Sequence, residues 1–169
     1  MAENLQRHLV GVSKDKYGAN HADHLLEQYK LYVEMADKIS ERRQSANSFF
    51  LAINTALVTA LGIVWGEGFL KLSWYSIVGA AGMVLCYSWW SLLKSYRDLN
   101  AGKFTVVHAI EQHLPIRPYD AEWAIVGRGK DPERYKPLTH IEILVPWVFF
   151  FLYVTLVLVA AFAPPPVKG

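Results

Sequence analysis

Apolar residues gather in three runs free of Asp, Glu, Lys and Arg: Ala46 to Trp65, Leu72 to Leu93 and Ile143 to Phe162, of 20, 22 and 20 residues. A helix rises about 1.5 Å per residue, so each run can cross a hydrocarbon core, which takes about 20 residues. A chain of 169 residues cannot cover three all-apolar helices with what remains, so lipid has to cover them. The pattern predicts an all-α protein with three transmembrane helices.

Before the first run, Ala22, Leu25, Tyr29, Tyr32, Ala36 and Ile39 alternate spacings of three and four, the seam of an amphipathic helix. The register continues through Arg43 to Ala46, Phe50, Ile53, Leu57, Ala60 and Val64, with no Gly or Pro before Gly62. This predicts one helix from about Ala22 to Trp65, about 65 Å long, half in water and half in lipid. Leu25, Tyr29, Tyr32, Ala36, Ile39, Phe50, Ile53 and Leu57 then form the expected oligomer seam, covered by the 94–142 segment and by neighbouring copies. On its water-exposed half, Lys30 with Glu34 and Lys38 with Glu41 are spaced for surface ion pairs.

After the second run, Phe104, Val107, Ile110 and Leu114 predict a short helix from about Gly102 to His113, ended by Pro115 and Pro118. A loop with Gly127, Gly129 and Pro132 follows. Thr139 and Glu142 form a capping box before the third run, and Pro146 inside that run predicts a kink or a late helix start.

Charge sets the expected orientation. Seven Lys and Arg fall in the first 45 residues, and Lys94, Arg97, Lys103, Arg128, Lys130, Arg134 and Lys136 lie between the second and third runs. The 66–71 loop holds only Lys71 and the tail only Lys168, so the N-terminus and residues 94–142 are expected in the cytoplasm and the C-terminus outside. Trp65 and Trp74 would mark the outer interface, and Trp89, Trp90 and Trp147 the inner one. The organisation is then a cytoplasmic segment and amphipathic helix over 1–45, spans over 46–65, 72–93 and 143–162, a cytoplasmic helical segment over 94–142, and an external loop and tail over 66–71 and 163–169. The first 20 residues contain no apolar core of a cleaved signal peptide. The single Cys86 lies inside the second run and is read as a packing residue. A net charge of +2 argues against a nucleic-acid partner.

Candidate chemistry is sparse. His21 with His24, and His108 with His113 around Glu111, lack the third and fourth ligands of a metal site, and surface or capping histidines explain them as well. Gly127-Arg128-Gly129-Lys130 offers amides and cations to a phosphate, but without the Walker pattern it more simply meets anionic lipid. Nucleophile, oxyanion-hole and paired-carboxylate signatures are missing, so no enzyme, cofactor or metal is expected. Polar residues inside the first span say more, because an amide or hydroxyl in lipid needs a partner. Asn47 and Asn54 are one heptad apart, and Thr55 and Thr59 share another stripe; they either line a pore or join helices. Arg42, Arg43 and Arg97 are membrane-surface basic residues, and Arg43 is placed to meet lipid phosphate or Glu142. Gly79, Ala80, Ala81 and Gly82 permit close helix approach.

Glu27-Gln28-Tyr29-Lys30-Leu31-Tyr32 through Asp37, Arg42-Arg43, Asn47, Phe49-Phe50 and Asn54-Thr55 resembles the amphipathic helix and first span of the RipA-like octameric bacterial membrane proteins. Ser95-Tyr96-Arg97-Asp98-Leu99-Asn100, Gly102-Lys103-Phe104, Tyr135-Lys136-Pro137 and Thr139-His140-Ile141-Glu142 extend the likeness to about Trp147. The resemblance implies a bacterial inner-membrane protein assembled as a homo-oligomeric ring, an octamer, with no established enzymatic activity. The first long helix also looks somewhat like that of SLATT-type two-span effectors, from which the third span and the longer 94–142 segment depart. The function expected is a non-enzymatic scaffold or interaction platform whose partners are itself, lipid and an unknown cytoplasmic protein. The alternative is a channel or pore-forming effector lined by the polar residues of the first span.

Overall fold

The computed structural model describes residues 2–67, 72–131, 133–135 and 141–162. The capping box at Thr139, Pro132, the ring of Trp65 and the tail from residue 163 lie outside the described residues. The described residues form helices and turns without a strand: α1 (Ala2–Leu9), α2 (Lys14–Tyr17), α3 (His21–Glu67), α4 (Leu72–Glu111), α5 (Pro118–Ile125), a 3₁₀ turn (Gly127–Gly129) and α6 (Val145–Phe162). Helices α3, α4 and α6 are each long and apolar enough to cross a membrane.

The 47 residues of α3 form one helix, as the unbroken seam predicts. Its surface lysines choose other partners than expected: Lys30 pairs with Glu27 at 2.8 Å and Lys38 with Glu34 at 2.6 Å. In both pairs the glutamate lies N-terminal to the lysine, the order that the helix dipole favours. Lys38 holds the Glu34 carboxyl below its ordinary range, by hydrogen bond and then by charge.

The expected separate helix at Gly102 is corrected. α4 runs 40 residues without a break, and Gly102 sits inside it. One glycine costs a helix only about 1 kcal/mol, less than the burial of Val107 and Ile110 in the same helix supplies.

 Val107 and Ile110 are both buried there, as is Ala109. The chain then turns at His113 and Leu114, whose amides bond Ile110 and Glu111 carbonyls at 2.9 and 3.1 Å. Pro118 opens α5 instead of only ending what precedes it, because proline suits the first helical position. Pro146 stands second in α6, so the late helix start is what occurs.

Two compact units divide the chain. The first comprises residues 1–42 and 96–137, the second 43–95 and 138–169. In the second, Leu61, Tyr75, Cys86, Tyr153 and Ala160 form a buried cluster among α3, α4 and α6. Gly79 and Gly82 let α6 approach: a Cβ at Gly82 would fall 2.5 Å from the Tyr153 ring, and one at Gly79 2.6 Å from Val157 Cγ2. Ala80 and Ala81, from the same small-residue stretch, are exposed.

Candidate functional site

The seam residues of α3 pack within the subunit. In the first unit Ala36 is buried, and Leu25, Tyr29, Tyr32 and Ile39 are half-buried. The Tyr29 hydroxyl donates to Glu111 Oε1 at 2.9 Å, and Lys103 Nζ lies 4.5 Å from the centre of the Tyr32 ring. In the second unit Phe50, Ile53 and Leu57 are half-buried, and Phe50 stacks on Trp89 at 5.9 Å and 8°. Tyr29, Tyr32 and Phe50 of the expected oligomer seam thus each make a contact with the chain's own α4. Periodicity states that a face is covered and leaves open by what.

Glu111 organises the first unit. Its side chain is fully buried and accepts three hydrogen bonds: from the Tyr29 hydroxyl, from Tyr119 N at 3.0 Å and from Asp120 N at 3.1 Å. The last two donors are the second and third residues of α5, whose own N-cap, Arg117, makes no side-chain cap. A carboxylate from α4 thus satisfies the orphan amides of α5 and complements its dipole. Burial first, then the hydrogen bond to Glu111 and its charge, push the Tyr29 phenol well above its ordinary value.

The amides of the first span also bond inside the chain. Asn47 Oδ1 accepts from Trp89 Nε1 at 3.0 Å. Asn54 is fully buried; its Nδ2 donates to Phe50 O at 2.8 Å and its Oδ1 accepts from Cys86 Sγ at 3.5 Å. The bonds to Trp89 and Cys86 join α3 to α4, and the bond to Phe50 O lies within α3. Thr55 and Thr59 are exposed. Trp89 is buried, so of the tryptophans expected at the inner interface only Trp90 and Trp147 keep accessible ring surface.

Among the basic residues, Arg42 is exposed, Arg43 lies 3.6 Å from Glu142 with both side chains largely covered, and Arg97 pairs with Asp98 at 3.0 Å. The histidines turn to separate partners. His24 Nδ1 is 2.9 Å from the Tyr17 hydroxyl, Tyr17 packs edge-on against both His21 and His24, and His108 Nδ1 lies 3.7 Å from Glu111. His113 Nε2 faces Gln6 at 3.4 Å. Among the described residues no three His, Cys, Asp or Glu side chains converge to hold a metal.

The Gly127 to Lys130 loop closes on itself. Gly127, Arg128 and Gly129 have φ of 74°, 53° and 68°, a left-handed turn in which Lys130 N donates to Gly127 O at 3.0 Å. Arg128 reaches back to Asp120 at 3.4 Å. One amide and one cation of the phosphate cradle considered from sequence are thus already engaged.

These contacts describe a subunit whose Asn47, Asn54 and Glu111 side chains are hydrogen-bonded internally and whose three long apolar helices require lipid. The sequence model of the octameric membrane protein family (8xMP) matches residues 26–162. The chain belongs to that family. No curated protein and no solved structure matches it. Membership makes this 8xMP chain a homo-oligomeric membrane protein, an octamer by family, as the resemblance implies. The matched stretch begins at Leu26, close to the start of α3, and ends at Phe162, the last residue of α6. It contains Tyr29, Asn47, Asn54, Trp89 and Glu111, and leaves out Leu25 of the seam and the Tyr17, His21 and His24 cluster.

Proposed function

We propose that this 8xMP chain is a scaffold subunit: an octameric ring in the bacterial inner membrane, N-terminus and first unit in the cytoplasm, C-terminus outside, offering a protein-binding surface and carrying out no catalytic step. The observation that carries this reading is the internal hydrogen bonding of Asn47 and Asn54, the two amides best suited to line a conducting path. With them engaged, the outward surface of the second unit is dominated by side chains such as Phe49, Ile63, Ile77, Val84 and Phe151, which suit lipid or neighbouring spans. The bias of Lys and Arg toward the first 45 residues and the 94–136 stretch supports the orientation.

The first unit supports an interaction surface of its own. Leu31 and Met35, four residues apart on α3, are 59% and 45% exposed beside charged neighbours. In water such a pair is best covered by protein, and an octamer supplies a neighbouring copy. The exposed hydroxyls of Thr55 and Thr59 support a second reading, a channel lined by threonine.

Native mass spectrometry and planar-bilayer recording on the purified assembly test both. The scaffold reading expects an octamer without unitary conductance, and a lower mass in a Leu31→Asp, Met35→Asp double variant whose helical content is unchanged. Unitary currents altered by Thr55→Val with Thr59→Val would replace it with the channel.

A further inference from the structure

A cavity of about 550 Å³ opens within the first unit, between the 97–108 stretch of α4, α5 and the chain beyond the left-handed turn. That size suits a small molecule. Its walls are aromatic: Phe104 and Tyr119 meet edge-to-face at 5.5 Å, and Trp123 and Tyr135 at 6.4 Å and 81°. Two polar side chains in the lining keep buried atoms without a hydrogen-bond partner, Asn100 Oδ1 and His108 Nδ1.

The charge of the lining decides what it would take. Its one permanent cation, Arg97, is held by Asp98 at 3.0 Å through both Nε and Nη2. Glu122, on the opposite wall, has no ion-pair partner among the described residues. Thr105 gives its hydroxyl hydrogen to Ala101 O at 2.9 Å and so presents an acceptor. Nearby cations are also committed: Arg128 to Asp120, Arg134 to Asp131, and Lys103 to the Tyr32 ring. What remains is a set of aromatic rings, the unfilled acceptor of Asn100 and the carboxylate of Glu122 without an ion-pair partner among the described residues. Aromatic faces and carboxylates both attract cations, and a cation with an apolar body loses little hydration on entering such a space.

We propose that this cavity binds a small organic cation, an ammonium with an aromatic or alkyl body, seated against Trp123, Tyr135 and Tyr119 with the Glu122 carboxylate as counter-charge. The Tyr119 phenol reports the same field: burial first, then the charges of Asp37, Glu122 and Glu111, push it above its ordinary value.

The test is isothermal titration of the full-length assembly in phosphatidylcholine nanodiscs, with empty nanodiscs subtracted. Benzyltrimethylammonium is the probe, benzyl alcohol the neutral comparison and benzoate the anionic one. The expected result is saturable binding of the ammonium, with both comparisons roughly tenfold weaker or worse, and a loss of roughly fivefold in Glu122→Gln and tenfold in Trp123→Ala. Trp123 also packs over Gly129, so the isosteric Glu122→Gln variant keeps the test independent of any loosening of the turn. Absence of saturation, equal binding of benzoate, or ammonium binding unchanged in Glu122→Gln would overturn the proposal.

Discussion

The hydroxyl of Tyr29 reaches the buried carboxylate of Glu111 across 82 positions of chain, 2.9 Å from donor to acceptor. The same carboxylate caps α5, so one side chain ties α3, α4 and α5 of the first unit together.

Glu111→Gln is expected to destabilise the first unit by about 1–3 kcal/mol, because an amide nitrogen would then face a backbone N–H that needs an acceptor. Tyr29→Phe removes one donor and leaves the cap intact, so a loss of about 1 kcal/mol is expected. Thermal unfolding in nanodiscs, followed by circular dichroism, gives the order; a Glu111→Gln variant as stable as the parent contradicts the account.

Alkaline titration offers a separate check. The Tyr29 phenol is raised in the folded state by burial and by Glu111, so the neutral form is the one the fold favours. Its stabilisation is complete below the unfolded value, about 10, and is lost as pH rises through the folded one. Ultraviolet titration of the phenolate band should show a late-ionising tyrosine that disappears in Tyr29→Phe. A curve identical in the two proteins would contradict the contact.

At the contact between α4 and α6, Gly82→Ala drives a methyl into the Tyr153 ring, which is 1% exposed and cannot swing into solvent. A cost of about 1–3 kcal/mol is expected, most of it recovered in a Tyr153→Leu background. Additive losses across that double-mutant cycle would show that the two side chains do not meet.

Trp89→Phe keeps a ring between Phe50 and Phe149 but withdraws the donor from Asn47. A loss of about 0.5–1.5 kcal/mol is expected, with the octamer's mass unchanged. Dissociation of the assembly in this variant would mean that Asn47 also serves a neighbouring subunit.

The long helix α3, the three apolar helices and the late start of α6 were legible because periodicity, absence of charge and Pro146 each act locally. The partner of the seam was not. Tyr32 reads as an apolar knob, yet the Lys103 ammonium lies over its ring, a pairing between positions far apart in sequence. α5 was missed although Pro118 with Asp120 two residues later is a helix-start signal. Glu111 was read as a spacer between histidines, because nothing in a single sequence says that a carboxylate will cap a helix beginning seven residues later. The surface lysines show a smaller version of the same limit: spacing admits either neighbour, and the dipole selects the N-terminal one.

The left-handed turn after α5 has a stereochemical consequence. Glycine has no chiral centre, so in Gly127-Arg128-Gly129 the handedness of the amino acids is opposed at a single α-carbon, that of Arg128. A D-residue placed there by chemical ligation would match the turn's hand, whereas the same inversion inside α5 would break the helix that the turn follows.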